Sequence, residues 1–154
     1  MIIALAGKGG VGKTSLAGIL IDELARRHYT QKLLVIDADP AATLAITLRI
    51  DAPPVTLADI RDSTPLDAGQ IKQLSPGTSP ARFVRDRLAS EGAIARRRLR
   101  QMDFDLLLMG NGQGPGCFCR INQALTQARV SIQAEYDLII IDNEAGLEHV
   151  SRYR

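Results

Sequence analysis

A glycine-rich stretch near the start of the chain, "GKGGVGKTS" at residues 7–15, constrains the fold more than any other feature. It follows a short apolar run and precedes a helical pattern with one apolar face, over residues 14–27. The four fixed positions of a phosphate-binding loop are occupied by Gly7, Gly12, Lys13 and Thr14. Glycines let successive backbone N–H groups point at phosphate oxygens, and the following helix presents its positive end. The stretch therefore predicts a strand, a phosphate cradle and a helix in that order.

Four short apolar runs predict buried parallel strands, because their apolar residues are continuous rather than alternating. They are Ile2–Ala6, Leu33–Ile36, Leu106–Met109 and Leu138–Ile141. Helical patterns lie between them, including one that starts at Ser79-Pro80 and one after Asn122. This alternation predicts an α/β fold with a parallel sheet. Together with the glycine-rich loop, it predicts a three-layer P-loop NTPase with a mostly parallel sheet flanked by helices.

Two further stretches lie outside that pattern. Residues 51–80 are rich in Pro, Asp, Ser and Thr and are interpreted as a mobile insert rather than a domain boundary. The run Arg96–Arg100 is interpreted as the solvated end of a helix, where cations favour the helix dipole. The alternative is a docking surface for an acidic partner protein.

Composition excludes several classes of protein. The chain has 154 residues, of which 45% are hydrophobic and 23% charged, and its net charge is +2. That charge is too small to predict a nucleic-acid or membrane partner, and no apolar run approaches the roughly 20 residues of a spanning helix. Two closely spaced cysteines do not make a disulfide framework. We therefore expect a reducing, cytoplasmic compartment, with no nucleic acid and no membrane as partners.

The phosphate loop predicts a nucleotide site, with ATP and Mg²⁺ as cofactors. Lys13 supplies positive charge to the β- and γ-phosphates, and the Thr14 hydroxyl reaches Mg²⁺. The predicted nucleotide-binding residues are Gly7, Lys8, Gly9, Gly10, Val11, Gly12, Lys13, Thr14 and Ser15.

Lys8 refines this prediction, because "GKGGVGKT" resembles the deviant Walker A motif of the MinD/ParA and nitrogenase iron-protein class. The resemblance implies a homodimer in which Lys8 reaches the partner's nucleotide and acts catalytically with Lys13. Physically, such a lysine adds positive charge where the transition state builds negative charge. The alternative is a lysine that only neutralises phosphates of its own subunit.

Carboxylates follow two of the predicted strands. "DADP" at residues 37–40 comes after the second strand, and "LIIIDNEAG" contains the fourth. The resemblance assigns Asp39 to the switch I position that orients the attacking water, and Gly146 to switch II. It implies that Asp37 lies near Lys13 and the metal's water shell, and that Asp142 is the Walker B aspartate on Mg²⁺. For each aspartate alone, a helix cap is the alternative.

Cys117 and Cys119, in "GPGCFC", are the only cysteines of the chain. Residues two apart in an extended segment are separated by about 6.6 Å at Cα, near the far limit of about 6.8 Å for a disulfide. Two thiolates can share one metal ion, but a thiolate site prefers four ligands. A twofold dimer would supply both cysteines twice, which predicts one metal held between two subunits. A CxC with only a structural role is the alternative.

The glycine-rich GCxC element, the deviant Walker A motif and "DNEAGLEHVSR" together resemble the CooC family of accessory ATPases for carbon monoxide dehydrogenase maturation. The resemblance implies that Cys117 and Cys119 bind Ni²⁺, with Zn²⁺ as a possible competitor, and that the client metalloenzyme is carbon monoxide dehydrogenase. Members of that family continue past this region, so residues 1–154 are expected to form a single P-loop NTPase domain that is the N-terminal portion of a longer one. The C-terminal strands and the pocket for the base would lie in the remainder.

Two other functions stay open at this point. One is an iron–sulfur carrier or electron-transfer ATPase of the nitrogenase iron-protein type, although its cysteines are spaced differently. The other is a MinD/ParA-like positioning switch, for which GCxC has no role. His149 and His28 could add metal ligands, but His28 is expected to end a helix and His149 to bond within switch II.

Overall fold

A computed structural model of the chain describes residues 1–39, 41–63, 80–110 and 134–143. Its five strands form one sheet. They are β1 (Ile2–Leu5), β2 (Leu33–Asp37), β3 (Ile94–Leu99), β4 (Met102–Leu108) and β5 (Leu138–Asp142). The described helices are α1 (Lys13–Arg26), α2 (Thr43–Leu48), α3 (Leu57–Ser63) and α4 (Pro80–Ser90).

The strand order is β1-β5-β2-β4-β3, and all pairs are parallel except β3 with β4. The predicted mostly parallel sheet is therefore confirmed. The prediction of a buried strand is wrong for β1, because it lies at one edge and pairs only with β5 among the described strands. None of its residues is buried, and Ile2 is 40% exposed. β4 begins four residues before the predicted run, because Met102–Asp105 alternate between buried and half-buried positions.

Apolar side chains cover both faces of the sheet and give the fold three layers. On one face, α1 and α2 pack with Ala17, Ile21, Leu44 and Leu48 against Val35, Leu106 and Ile140. On the other face, α3 and α4 pack with Leu57, Ile60 and Leu88 against Leu34, Leu107 and Ile139. Successive residues of a strand enter opposite clusters, which is why the buried strands are apolar throughout.

The arginine run is a β-strand, so its interpretation as a helix end is wrong. α4 ends at Ser90 because Gly92 adopts a left-handed conformation, with φ of 82°. The Gly92 N–H then bonds the Ala89 carbonyl and the Ala93 N–H bonds the Leu88 carbonyl, at 3.0 and 2.8 Å. This is the Schellman arrangement that closes a helix. The chain leaves it directly into β3.

Oppositely charged side chains face one another across the β3–β4 pair. Arg98 is in register with Asp103 and makes two hydrogen bonds to its carboxylate, at 2.6 and 3.0 Å. Arg96 reaches the same carboxylate at 3.2 Å, and these two arginines hold the pKa of Asp103 down at about 2. Such cross-strand pairs favour the strand, and charged side chains protect a sheet edge from further pairing.

The predicted mobile insert contains an ordered helix, so that expectation is wrong for residues 57–63. Thr56 caps α3, since its hydroxyl accepts the Asp59 N–H at 3.3 Å while Asp59 accepts the Thr56 N–H at 2.8 Å. Leu57 and Ile60 are buried against the sheet. A capping box and two apolar anchors outweigh the polar composition of the stretch.

None of the helices in the described ranges is long and apolar enough to cross a membrane.

Candidate nucleotide-binding site

Three strands end at the same point of the sheet and bring the site together. Leu5 is in register with Asp142, and Asp142 is in register with Asp37. The phosphate loop begins just after β1, so it starts beside both carboxylates. Ligands bind at this edge in open α/β sheets, because the carboxyl ends of the parallel strands converge there.

The loop leaves a cradle of backbone N–H groups in front of α1. Gly10 and Gly12 have φ of 79° and 87°, which L side chains rarely adopt. A Cβ at either position would meet nothing within 4 Å, so the space in front of the loop is open. Gly12 is the N-cap of α1 and brings no capping side chain, and the first turn contains no acidic residue. These features leave the positive helix end available to an anion.

The two lysines of the motif differ in their surroundings. Lys13, the first residue of α1, folds back so that its Nζ donates to the Lys8 carbonyl at 3.3 Å. Its ammonium group therefore lies against the backbone of the loop. The Lys8 side chain is exposed at the surface of the loop. Within one chain, only Lys13 is positioned by a contact that the structure describes.

Asp142, the last residue of β5, is a buried carboxylate. It is 1% exposed, and neither carboxylate oxygen accepts a hydrogen bond of ordinary geometry in the part of the chain that the structure describes. Burial raises its pKa, while the nearby Thr14 hydroxyl and the Lys13 ammonium lower it without cancelling the effect of burial. An uncompensated buried carboxylate is costly unless a cation completes it.

This environment fits Mg²⁺. Mg²⁺ takes oxygen ligands in octahedral geometry and is usually bound by one or two protein groups, with phosphates and water completing the shell. Asp142 and the Thr14 hydroxyl beside it are such a set. The described residues contain no cluster of three or more His, Cys, Asp or Glu side chains that could hold a metal without other ligands.

Asp37 is also fully buried, but both of its oxygens have partners. Oδ1 accepts the Asp39 N–H and Oδ2 accepts the Leu44 N–H, each at 3.0 Å. Burial raises the pKa of Asp37 to about 6, and these two bonds oppose the shift. The negative charges of Asp142 and Asp39 raise it further. In this arrangement Asp37 organises the loop between β2 and α2.

Asp39 lies half-buried in the same loop. Its Oδ1 accepts the Ala41 N–H at 2.9 Å and its Oδ2 accepts the Thr43 hydroxyl at 3.0 Å. Its charge contributes to the raised pKa of both Asp37 and Asp142. The three aspartates singled out in the sequence therefore form one electrostatic group.

Sequence reasoning missed Asn143. This residue is 5% exposed, and its side-chain amide donates to the Leu5 carbonyl at 3.0 Å while its backbone N–H bonds the same oxygen at 3.2 Å. It thereby joins the end of β5 to the residue where the phosphate loop departs. The available signal was a polar side chain directly after a buried strand that ends in an aspartate.

Several predicted residues lie outside the described part of the chain. Cys117, Cys119, Gly146 and His149 are among them. Of the remaining candidates, Ser15 is exposed in the first turn of α1. His28 closes α1 as expected, in a left-handed conformation with φ of 53°.

Fold and site together define a P-loop domain, in which a glycine-rich loop and the start of a helix meet at the carboxyl edge of a mostly parallel sheet. The sequence matches the model of the family described as "AAA domain" over residues 1–152, and the chain belongs to that family. The three-layer fold is shared with the solved structure of the septum site-determining protein MinD complexed with Mg-ADP from Pyrococcus horikoshii. The TM-score is 0.54 at 21% identity, over 95% of this chain and 49% of that one.

Two curated proteins align over 99% of the chain. An uncharacterized ATP-binding protein of Methanocaldococcus jannaschii is 39% identical over 154 residues. The carbon monoxide dehydrogenase accessory protein CooC of Rhodospirillum rubrum is 31% identical over 160 residues. The chain spans 56% and 57% of the lengths of these relatives, so they extend well beyond the matched region.

Proposed function

We propose that this chain is the nucleotide-binding part of a Mg²⁺-dependent, dimerising ATPase that binds nickel through Cys117 and Cys119 and aids maturation of the carbon monoxide dehydrogenase Ni–Fe–S cluster. The observation that carries the ATPase part is the buried carboxylate of Asp142 beside the phosphate loop, whose oxygens accept no hydrogen bond of ordinary geometry from the described residues. A cation that binds with the nucleotide would stabilise such a buried carboxylate. The metal-delivery part is supported by the GCxC element and by the likeness to CooC.

The chain's own residues would act as follows. Backbone N–H groups of residues 9–13 bind the phosphate oxygens, and Lys13 leaves the Lys8 carbonyl to bind the β- and γ-phosphates. Asp142 and Thr14 would hold Mg²⁺, and a cation held there would supply positive charge against the negative charge that develops on the phosphates. Asp39 orients a water whose oxygen bonds to the γ-phosphorus as the bond to the ADP oxygen breaks, with one proton released to solvent.

Lys8 would complete the site of a second subunit. Its exposed side chain is free of its own cradle, where Lys13 already lies. Brought across a dimer interface, its ammonium group would meet the partner's phosphates and add charge where the transition state needs it. ATP would then favour the dimer, since both subunits contact each nucleotide.

The two lysines provide the test of the ATPase part. In the intact protein, Lys13→Ala should abolish ATP binding and turnover, because the phosphates lose their main cation. Lys8→Ala should bind ATP as a monomer with near-normal affinity but lose turnover and ATP-driven dimerisation. Calorimetric ATP binding, phosphate release and sedimentation measure the three properties. Wild-type hydrolysis by Lys8→Ala would show that no lysine is contributed across an interface.

The number of thiolate ligands supports a nickel site that is shared between two subunits. Two thiolates per chain leave a soft ion half-coordinated, and a twofold pair of chains supplies four. Linkage then requires the metal to favour the dimer to the same extent that the dimer favours the metal.

The metal part has its own experiment. One Ni²⁺ should bind per two chains, with thiolate charge-transfer bands of a square-planar site, and Zn²⁺ should compete without producing those bands. Cys117→Ser or Cys119→Ser should lose metal binding and metal-induced dimerisation together while ATP binding persists. One ion per chain, or full binding by the double serine variant, would contradict the shared site and leave the ATPase part standing.

A further inference from the structure

The loop between β2 and α2 is held by its two carboxylates. Asp37 accepts the backbone N–H groups of Asp39 and Leu44, and Asp39 accepts that of Ala41. The remaining oxygen of Asp39 is different, because its partner is a side chain, the Thr43 hydroxyl, at 3.0 Å. The orientation of the Asp39 carboxylate therefore depends on one hydroxyl group outside the phosphate loop.

Thr43 is itself fixed in position. The next residue, Leu44, is fully buried in the core, and its N–H is bonded to Asp37. One turn further on, Thr47 packs so closely on α1 that a Cβ added to Gly18 would lie 2.8 Å from its methyl carbon. The helix that begins at Thr43 is therefore held against two elements. One is β2, which ends at Asp37, and the other is α1, which begins at Lys13 in the phosphate loop.

The contact has consequences for the reacting centre because Asp39 is close to it. Its charge is felt by both Asp37 and Asp142. A free aspartate would rotate about its side-chain bonds, and each misaligned rotamer would move the water that it bonds. Small errors of position at such a centre reduce rates by large factors.

We infer that Thr43 is a positioning residue for hydrolysis: its hydroxyl holds the Asp39 carboxylate in the orientation that aligns the attacking water. This inference rests on the proposed function, and on the role of Asp39 in particular. Thr43 contacts neither nucleotide nor metal in this role, so it acts on the rate of the chemical step and not on ATP affinity.

The test compares valine and serine at position 43 in the intact protein. Thr43→Val keeps the shape and removes the donor, and should lower kcat about tenfold, the rate equivalent of one hydrogen bond to a charged group, with the Kd for ATP unchanged. Thr43→Ser restores the donor and should recover most of the rate. Thr47→Val is the matched control, since that hydroxyl bonds the Thr43 carbonyl and not Asp39. It should hydrolyse ATP at the wild-type rate.

A double-mutant cycle with Asp39→Asn separates positioning from general stability. If Thr43 acts through Asp39, Thr43→Val should cause little further loss of rate in the Asp39→Asn background. Equal rates for Thr43→Val and Thr47→Val, alongside a slow Asp39→Asn, would overturn the inference and leave the proposed function intact. An unchanged rate for Asp39→Asn would overturn both. Should Thr43→Val not fold, Thr43→Ala takes its place in the same cycle.

Discussion

Asp142→Asn should stabilise the nucleotide-free protein while it abolishes the contribution of Mg²⁺ to ATP binding. The native carboxylate is 1% exposed, and neither oxygen accepts an ordinary hydrogen bond from the described residues. An asparagine of nearly the same shape removes the buried charge and breaks no such bond. Folding and function therefore favour different residues at this position.

The magnitude follows from two opposing effects. Leaving a buried polar group without a partner costs about 1–3 kcal/mol, and somewhat more when it is charged. The Thr14 hydroxyl and the Lys13 ammonium offset part of that cost, since both lower the pKa of Asp142. We expect a net gain of about 1–2 kcal/mol at pH 7.5, which is a rise in Tm of roughly 4 °C for a chain of this size.

The assay is urea and thermal unfolding in EDTA without nucleotide, followed by ATP titration with and without Mg²⁺. Asp51→Asn is the control, because it removes the same charge from an exposed site. The gain in the free energy of unfolding should also depend on pH. Burial raises the pKa of Asp142 above its ordinary value of 3.8, so the difference between wild type and Asp142→Asn should vanish below about pH 3.8 and grow as the pH rises through the folded-state pKa.

A loss of stability in EDTA would refute this reasoning, because it would mean that the ionised carboxylate has a favourable partner in the nucleotide-free state. A preserved Mg²⁺ effect on ATP affinity would separately remove Asp142 from the cation site. The expected combination, higher stability with lost Mg²⁺ response, is one that a purely structural aspartate does not produce.

Two other predictions concern residues around the site. Gly110→Ala should lower stability by about 2 kcal/mol, since φ there is +75° and the new Cβ would collide with the Thr56 side chain that caps α3. Gly92→Ala, with φ of +82° and no neighbour closer than 3.6 Å, is the matched control, and an equal loss in both variants would exclude the collision. The Asp37 carboxyl should titrate near pH 6 by NMR; because folding raises this pKa, its contribution favours folding below pH 3.8 and is lost as the pH rises through about 6. A titration at the ordinary value would show that Asp37 is solvated in the native state.

The sequence predicted the central strands β2 and β5 well, but it did not predict the edge strand β3 or the helix α3. The runs around Val35 and Ile140 are buried on both faces, and continuous apolar patterns of that length are typical of parallel strands. β3 was missed because Arg96 and Arg98 are stabilised by Asp103, several residues along the chain, and no local pattern contains that information. α3 was missed because its polar composition obscured the Thr56–Asp59 capping box.

The candidate site shows the same division. The glycine-rich loop is a local motif, so the left-handed glycines Gly10 and Gly12 and the start of α1 behind them agree with the spacing of the sequence alone. Thr43 and Asn143 were not, because each acts through one contact that exists only once β2, β5 and α2 are assembled.

Two energetically unfavourable features of the described residues lie at the carboxyl edge of the sheet. Four non-glycine residues among those described have left-handed backbones: His28, Ala42, Arg49 and Arg100. His28 and Arg49 each close a helix, and Arg100 lies in the two-residue turn between β3 and β4, so ordinary turn geometry accounts for all three. Ala42, by contrast, is the N-cap residue of α2, a position that ordinarily takes an extended backbone. It lies between Asp39 and Thr43, where its N–H bonds the Asp39 carbonyl at 2.9 Å. The left-handed backbone at Ala42 and the buried carboxylate of Asp142 are both expected to destabilise the free protein. Unfavourable features of this kind persist where the surrounding structure enforces them, and they cluster at sites that bind ligands. In the proposed function, nucleotide and cation would relieve the charge at Asp142, and the loop would hold Asp39 in reach of the phosphates.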